Sequence, residues 1–333
     1  MNPTSWFLAL LRALRSVQLA IAVVACGFHA AQAQGSYPSR PIRIVTPFAA
    51  GAVSDISLRI VAEKLAARLD TGVIVENQTG AGGIAAARQV ISAAPDGHTL
   101  ALLSNATAVS VGLFKNLTFD PRSDFTPIVG ISDFAYIFVT NSAAAYRSLQ
   151  DVIAAARAKP GQLNVGTANA GTSNHLTALL FKATLGLDFV VVPYRGPSEL
   201  TVALYRNDLD LVVNAYGGLR PAIEDGKIKV LAVTSGARSP LLPDVPTAQE
   251  LGIKGFEVSS WNGLYGPAGT PLEVVERIAH EVRQILAEPD VQKRFADLGL
   301  EVRPSSAAEL DKRMRAEIER WSKVIDEAGI EKR

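Results

Sequence analysis

The sequence predicts an α/β protein with largely parallel sheets, organised as two lobes that are connected by strands. Strand patterns and helix patterns alternate along most of the 333 residues, which is typical of parallel sheets with helices packed on their faces. The alternation comes in two runs, and the second begins near Leu163. Because no long low-complexity linker separates the runs, we expect strands near 134–141 and 257–265 to cross between the lobes as a hinge.

The first run opens with two strand–loop–helix units. An apolar strand at 41–47 breaks at 48–51, and Ser54 and Asp55 then begin a helix. The second unit has a strand, a glycine-rich loop and a helix, at 72–76, 77–83 and 84–91. Each unit points a helix N-terminus, with free backbone N–H groups and a partial positive charge, beyond the carboxyl end of its strand. Two such units side by side predict a site for a small anion.

The later elements follow the same alternation. Strands are predicted at 98–103, 134–139, 163–165, 189–194, 209–213, 228–233 and 256–265. Three helix starts have the spacing of a capping box, namely Ser148 with Asp151, Thr270 with Glu273, and Ser306 with Glu309. We expect the C-terminal helices, which end near 328, to return to the first lobe. The predicted domains are therefore lobe one over 34–138 plus 260–333, and lobe two over 139–259.

The first 33 residues have the pattern of a secretory signal peptide. Arg12 and Arg15 precede a mostly apolar stretch at 17–28, and Ala-Gln-Ala at 31–33 is a small-x-small cleavage site. A lipoprotein processed at Cys26 is the alternative. Because no later stretch is apolar over a membrane-spanning length, we expect a soluble mature chain.

The composition of the mature chain excludes several classes of partner. Cleavage after residue 33 removes two basic residues and leaves 31 basic against 32 acidic ones, a net charge of −1. A near-neutral surface does not favour nucleic acid or an anionic membrane as a partner. Cleavage also removes Cys26, the one cysteine, so no disulfide can form. A secreted chain without disulfides fits the bacterial periplasm.

Residues at the strand ends and helix starts of both lobes are the candidate ligand-binding residues, because ligands bind beyond the carboxyl ends of the strands in open α/β sheets. In lobe one these are Phe48, Ser54, Asp55, Gly82, Gly83, Ser104 and Asn105. In lobe two they are Thr172, Ser173, Tyr194 and Asn214. The Asp55 carboxylate has two open roles, to orient the loop amides or to pair with a ligand ammonium. Arg195 is open between a carboxylate clamp and a surface ion pair.

An enzymatic alternative is a secreted hydrolase with Ser173 as nucleophile and His175 as base. The sequence has no G-x-S-x-G elbow, and residues two apart on a helix point in different directions, so we expect no catalysis. It also lacks an H-E-x-x-H motif, and we expect neither metal nor cofactor. Residues 80–85 fit a dinucleotide fingerprint, but the acidic residue required at the end of the next strand is missing.

Several ordered motifs resemble the Bug family of periplasmic solute receptors. They lie at 37–43, 75–83, 95–99, 192–196, 226–235 and 242–247, together with the loop that ends in Asp55. The resemblance covers about 37–330 and implies a two-lobed periplasmic-binding-protein (Venus flytrap) fold. It also implies a small organic acid ligand, often a carboxylate, held by backbone N–H groups and bridging water. The implied partners are the membrane components of a tripartite tricarboxylate transporter. A monomer that serves transport or hands its ligand-bound form to a sensor is expected.

The first loop departs from the pattern of that family. The family usually has Pro-Phe-Pro-Pro-Gly-Gly before its aspartate, whereas Ala49, Ala50 and Ala52 replace the last two prolines and the second glycine here. Loss of the prolines makes the loop less preset. A standard dicarboxylate specificity is therefore less secure than the receptor role.

Overall fold

The computed structural model of the protein describes residues 37–333. The signal peptide predicted over 1–33, with its alternative at Cys26, lies outside the described residues. Residues 41–333 form one compact unit, and 37–40 belong to the preceding unit. Among the described residues no helix is both long enough and apolar enough to cross a bilayer.

The helices and strands alternate as the sequence predicts. The strands are β1 (Ile42–Thr46), β2 (Val73–Asn77), β3 (Thr99–Ser104), β4 (Phe125–Asn141), β5 (Asn164–Thr167), β6 (Val190–Pro193), β7 (Leu211–Ala215), β8 (Ile228–Val233), β9 (Ser259–Pro267) and β10 (Glu301–Ser305). The helices are α1 (Val53–Leu69), α2 (Ile84–Ile91), α3 (Asn105–Leu113), α4 (Leu149–Ala158), α5 (Ser173–Leu185), α6 (Pro197–Tyr205), α7 (Tyr216–Glu224), α8 (Leu272–Leu286), α9 (Pro289–Ala296) and α10 (Ala307–Glu327). A short 3₁₀ turn, Ala81–Gly83, precedes α2.

The strands form two sheets with the same local topology. In sheet A, which has the order β2-β1-β3-β9-β4 with β10 also paired to β4, β1 lies parallel between β2 and β3. In sheet B, built from the end of β4 with β7, β5, β6 and β8, β5 lies parallel between β6 and β7. In each case the chain leaves the central strand to one side and later returns to the other. The carboxyl ends of β1 and β5 are therefore topological switch points, where ligands bind in open α/β sheets.

Strand β4 belongs to both sheets. Its residues 125–135 pair with β9 in sheet A, and its residues 136–141 pair with β7 and β8 in sheet B. The register shifts at three places along β4, and such irregularities bend a strand. The mixed α/β fold with two lobes joined by crossing strands is as predicted. We call the parts built on sheet A and sheet B lobe one and lobe two; their limits at 138/139 and 259/260 stay a prediction.

The C-terminal helices pack on sheet A. Helix α8 packs against β4 and α1, and α10 packs against β4 and α3. Capping boxes are present at Ser148 and Ser306, as predicted. The box predicted at Thr270 is wrong, because α8 begins after Pro271 without a side-chain cap. The Thr270 hydroxyl instead donates to the backbone oxygen of Pro267, at 2.7 Å.

Lobe two has an aromatic cluster at the centre of its core. The ring centroid of Phe181 in α5 lies 4.9 Å from that of Phe138 in β4, and 6.1 Å from those of both Phe189 and Phe256. Phe181 is 1 % exposed. A close-packed ring with this many aromatic neighbours contributes through burial and through offset or edge contacts.

We expect Phe181→Ala to lower the free energy of unfolding by about 3–5 kcal/mol, because it leaves a large cavity in this cluster. Val202→Ala is the matched control: Val202 is 47 % exposed, and its loss should cost no more than about 0.5 kcal/mol. Urea unfolding followed by circular dichroism measures both. Equal stability of the two variants would contradict the placement of Phe181 in the core.

Candidate functional site

The switch points of the two sheets face one cavity. It has about 530 Å³ of empty volume, part of it open to solvent. Its lining comes from the ends of β1, β5 and β7, from the middle of β4 and from the helix starts that follow. The lining residues are Pro47, Phe48, Ala49, Ala52, Val53, Ser54, Phe134, Tyr136, Ala168, Asn169, Thr172, Ser173, Asn174, Arg195, Gly196, Pro197, Asn214 and Ala215. We call this the main cavity.

Four helices begin at the wall of the main cavity: α1, α5, α6 and α7. Only α5 has a side-chain cap, which the Thr172 hydroxyl provides. The N-cap residues of the other three are Ala52, Gly196 and Ala215, and none of them gives a side-chain cap. The first N–H groups of these helices therefore keep their capacity to donate, and their partial positive charges converge on the cavity.

The lining of the main cavity includes a single charged side chain among the described residues, and it is positive. Among the described residues that line it, Arg195 is the sole charged side chain, and no aspartate or glutamate is present. The helix termini and Arg195 have the same sign. The electrostatic environment of the cavity therefore favours a small anion.

The floor of the main cavity is aromatic. Phe134 and Tyr136, both in β4, pack edge to face with ring centroids 5.7 Å apart. The Tyr136 hydroxyl is hydrogen-bonded with Ser260 and Ser173, and burial raises the pKa of Tyr136 to about 12. Tyr136 is therefore a neutral hydroxyl at the floor and not an anion.

A smaller cavity of about 280 Å³ adjoins the main cavity and shares Pro47, Phe48 and Thr172 with it. Gly82 and Gly83, both at φ 66°, lie in its wall. The Gly82 N–H donates to the Ala170 backbone oxygen of lobe two, at 3.2 Å. The glycine-rich loop thus contacts the opposite lobe at the edge of the site.

The Asp55 carboxylate is engaged inside lobe one and does not line either cavity. Its side chain is 3 % exposed. Its oxygens accept hydrogen bonds from the Gly51 N–H (3.0 Å), from Arg59 Nε (3.0 Å) and from Asn77 Nδ2 (2.7 Å). The same Asn77 amide donates to the Phe48 backbone oxygen. The bond from the Gly51 N–H restrains the backbone of the 48–52 loop, and the choice between the two open roles of Asp55 stays a prediction.

Asn105 and Ser104 are buried beneath the site. Asn105 is fully buried, and its Nδ2 donates to Ser173 Oγ and to the Ser259 backbone oxygen, each at 3.2 Å. Its Oδ1 accepts the Trp321 indole N–H at 2.7 Å. Ser104 caps α3. Asn105 therefore links α3, α5, β9 and α10 and supports the floor through Ser173.

The structure thus brings five of the sequence-predicted residues to the main cavity: Phe48, Ser54, Thr172, Ser173 and Asn214. Gly82 and Gly83 lie at the smaller cavity. Asp55, Ser104, Asn105 and Tyr194 line neither; the Tyr194 side chain packs on the core of lobe two. Sequence reasoning missed Phe134 and Tyr136 because they occur in an apolar strand, and Asn174 because it reads as an ordinary helix residue. The signal that could have found them is their position: Phe134 and Tyr136 lie where β4 passes from one sheet to the other, and Asn174 lies at the start of α5.

The side chains of Ser173 and His175 do not form a nucleophile–base pair. The Ser173 hydroxyl contacts Asn105 and Tyr136. The Nδ1 atom of His175 lies 3.1 Å from Thr167 Oγ1, and its Nε2 is buried without a hydrogen-bond partner. The described residues also contain no group of three or more potential metal ligands.

Comparisons with known proteins agree with this architecture. Residues 57–330 match the model of the tripartite tricarboxylate transporter family receptor, TctC. A UPF0065 protein from the tcbD–tcbE intergenic region of Pseudomonas sp. strain P51 is 34 % identical over 298 residues, 89 % of each chain. The periplasmic binding protein BugD superposes with a TM-score of 0.85 at 32 % identity, covering 89 % of this chain and all of BugD.

Two similar structures were solved with ligands. MatC from Rhodopseudomonas palustris with bound malate has a TM-score of 0.83 and 33 % identity, covering 87 % of this chain and 100 % of MatC. Rpa4515 from R. palustris with adipate has a TM-score of 0.85 and 29 % identity, covering 90 % of this chain and 100 % of Rpa4515.

Fold and site together define a solute-binding protein of the periplasmic, two-lobed class, with the ligand cavity between the lobes. Within that class, the chain belongs to the TctC family, the receptors of tripartite tricarboxylate transporters, which includes the Bug proteins. The resemblance found in the sequence motifs is confirmed. The relatives are solute receptors and not enzymes.

The hydrogen bond between Asn105 and Trp321 should appear as a coupling energy. We expect Asn105→Ala to lower the free energy of unfolding by about 2 kcal/mol or more, because it leaves the indole N–H unpaired and buried. Trp321→Phe removes the same bond from the other side. The double variant should cost less than the sum of the single variants by more than about 0.5 kcal/mol. Urea unfolding of the four proteins tests this, and strict additivity would contradict it.

His175 should make the fold sensitive to acid. Burial lowers its pKa from 6.5 to about 4, so the unfolded chain binds a proton that the folded chain excludes between these values. Because of this difference, the free energy of unfolding is not reduced by His175 above pH 6.5, and it decreases as the pH falls towards 4. When the pH falls from 7 to 4.5, we expect the unfolding free energy of the wild-type chain to drop by about 2 kcal/mol more than that of His175→Gln. His280→Gln, at an exposed position, is the control, and an identical pH profile for both variants would refute the assignment.

Proposed function

We propose that the protein is a periplasmic receptor that captures a small organic carboxylate in the main cavity. The observation that carries this proposal is the convergence of four helix N-termini and Arg195 on a cavity that no acidic residue lines. Backbone N–H groups at helix starts bind carboxylates without a charged partner on each oxygen. The malate and adipate of the two R. palustris neighbours support the same ligand class.

The proposed contacts come from both lobes. Lobe one contributes Phe48 and Ser54 directly, and Gly82 and Gly83 through the adjoining cavity. Lobe two contributes Thr172, Ser173 and Asn214. Asp55, Ser104 and Asn105 act by positioning these groups. Tyr194 supports the strand end from the core of lobe two.

The position of Asp55 favours an acid without an amine. Its carboxylate already accepts hydrogen bonds from Gly51, Arg59 and Asn77, and it lies outside the cavity lining. A ligand ammonium would therefore meet helix N-termini and Arg195 and no counter-charge. Amine-bearing acids should bind more weakly than acids of the same length that lack the amine.

Ligand binding would stabilise the closed arrangement of the lobes. In addition to the Gly82–Ala170 bond, Ser110 Oγ donates to the Gly171 backbone oxygen across the lobes, at 3.2 Å. Gly171 has φ +87°, and a Cβ there would lie 2.6 Å from the Phe114 ring. Contacts this close form only when the lobes meet. A ligand that touches both lobes shifts the population towards this state.

The cellular role follows from the family. The receptor would be exported by the signal peptide over 1–33, would act as a monomer, and would deliver its ligand to the membrane components of a tripartite tricarboxylate transporter or to a sensor. Lobe one would comprise 34–138 plus 260–333, and lobe two 139–259. It would have no catalytic activity, because Ser173 has no base beside it.

Isothermal titration of the mature chain with malate, adipate and their amine-bearing analogues aspartate and 2-aminoadipate tests the proposal. We expect binding of at least one unsubstituted or hydroxylated acid, and weaker binding of its analogue. Asp55→Asn should weaken the bound acid by about tenfold or more, because the 48–52 loop loses its anchor. Asp188→Asn is the control, since Asp188 is exposed and its one ion pair among the described residues is with Lys182. If no carboxylate binds, or if both variants bind equally well, the proposal is wrong.

A further inference from the structure

We propose that Arg195 selects ligands with a second carboxylate, which it binds at the mouth of the main cavity. The inference rests on the proposed function and deepens it: the start of α1 holds one carboxylate, and the Arg195 guanidinium, beside the start of α6, holds the other. The receptor would then discriminate dicarboxylates from monocarboxylates of the same length.

The strand that precedes Arg195 fixes which way its side chain points. The Tyr194 N–H donates to the Thr167 backbone oxygen at 2.8 Å, which continues the β5–β6 ladder. Successive side chains along extended backbone point to opposite sides. Because Tyr194 packs on the core of lobe two, Arg195 takes the opposite side, where it lines the main cavity.

The Arg195 guanidinium has no acidic partner among the described residues. Several other arginines do have one: Arg43 pairs with Glu76, and Arg313 binds Asp133 through two parallel bonds. The nearest carboxylate in sequence, Glu199, accepts the backbone N–H of Arg195 at 3.1 Å. The planar fork of the Arg195 side chain therefore remains free for a carboxylate oxygen pair.

A large part of the lining of the main cavity is apolar. Phe48, Phe134 and Pro197 line the cavity together with several alanines, and these side chains offer no charge to a ligand. Methylene groups are favourable against such a surface. The chemistry that fits is an acid group at the start of α1, a short hydrocarbon segment, and a second acid group at Arg195.

Arg195 also lies beside the seam between the lobes. A Cβ on its neighbour Gly196 would lie 2.8 Å from Ala49 Cβ of lobe one, so the two lobes touch there. A carboxylate held by Arg195 at this seam would contact lobe two while the first carboxylate contacts the start of α1 in lobe one. A ligand with two carboxylates would then bridge the lobes, and the second carboxylate would also add affinity.

Matched pairs of acids test the role of Arg195. We would titrate the wild-type chain and Arg195→Gln with adipate against hexanoate and with malate against 2-hydroxybutyrate. We expect Arg195→Gln to weaken the dicarboxylate of a pair by about tenfold or more and the monocarboxylate by less than about twofold. Arg195→Lys, which keeps the charge and loses the planar fork, should fall between wild type and Arg195→Gln.

The control is Arg206→Gln, which makes the same change of charge at the other end of α6. Arg206 is exposed, without an ion pair among the described residues, and outside the main cavity. It should leave all four affinities unchanged. Equal losses for both members of a pair in Arg195→Gln, or no loss at all, would overturn the role of Arg195 and leave the receptor function intact. A wild-type chain that binds none of the four acids would refute the proposed function and this inference together.

Discussion

The site depends on the side-chain amide of Asn105, which connects three segments of the chain that are far apart in sequence. Its three hydrogen bonds reach Ser173 at the start of α5, Ser259 at the start of β9 and Trp321 in α10. All three partners lie in different segments of the chain, and the amide is fully buried. In a low-dielectric interior such a network is stable only when each member is satisfied. One buried amide thus links the cavity floor, the start of β9 and the C-terminal helix.

The positive potential of the main cavity depends on the neutralisation of the nearby Asp55 carboxylate inside lobe one. Asp55 lies next to the site in sequence, yet Arg59 and Asn77 satisfy its carboxylate inside lobe one. The cavity consequently keeps the positive potential of the helix starts. The acid also restrains the 48–52 loop, where alanines replace the prolines usual in the family. In this loop, hydrogen bonds restrict the backbone, as the fixed φ angles of the prolines do in other members of the family.

The sequence predicts the fold well where its local signals and the tertiary structure agree. The glycine-rich loop and the helix at 84–91 lie where predicted, because glycine and apolar periodicity both mark them. Helix α3 was missed, since nearly all of its residues are buried and it has no polar face. The first half of β4 contains Pro127 and Gly130, which weaken a strand pattern.

The same reasoning explains the limits of the site prediction. Strand ends are visible in a sequence, and Phe48 and Asn214 accordingly lie at the cavity. The direction of each side chain is set by helix rotation and strand parity, which decide between Tyr194 and Arg195 and send Asp55 away from the cavity. Whether a charge finds a partner depends on residues far along the chain, and the sequence alone does not reveal it.

The interleaving of the sheets also determines the order in which the chain can fold during synthesis. Sheet B uses one continuous stretch, from the end of β4 to β8, whereas in sheet A Leu102 of β3 must wait for Leu264 of β9. Pairings this distant form slowly, and an apolar strand edge that waits is prone to aggregate. The second lobe can therefore be complete while the β3 edge of the first lobe, although earlier in the chain, is still unpaired.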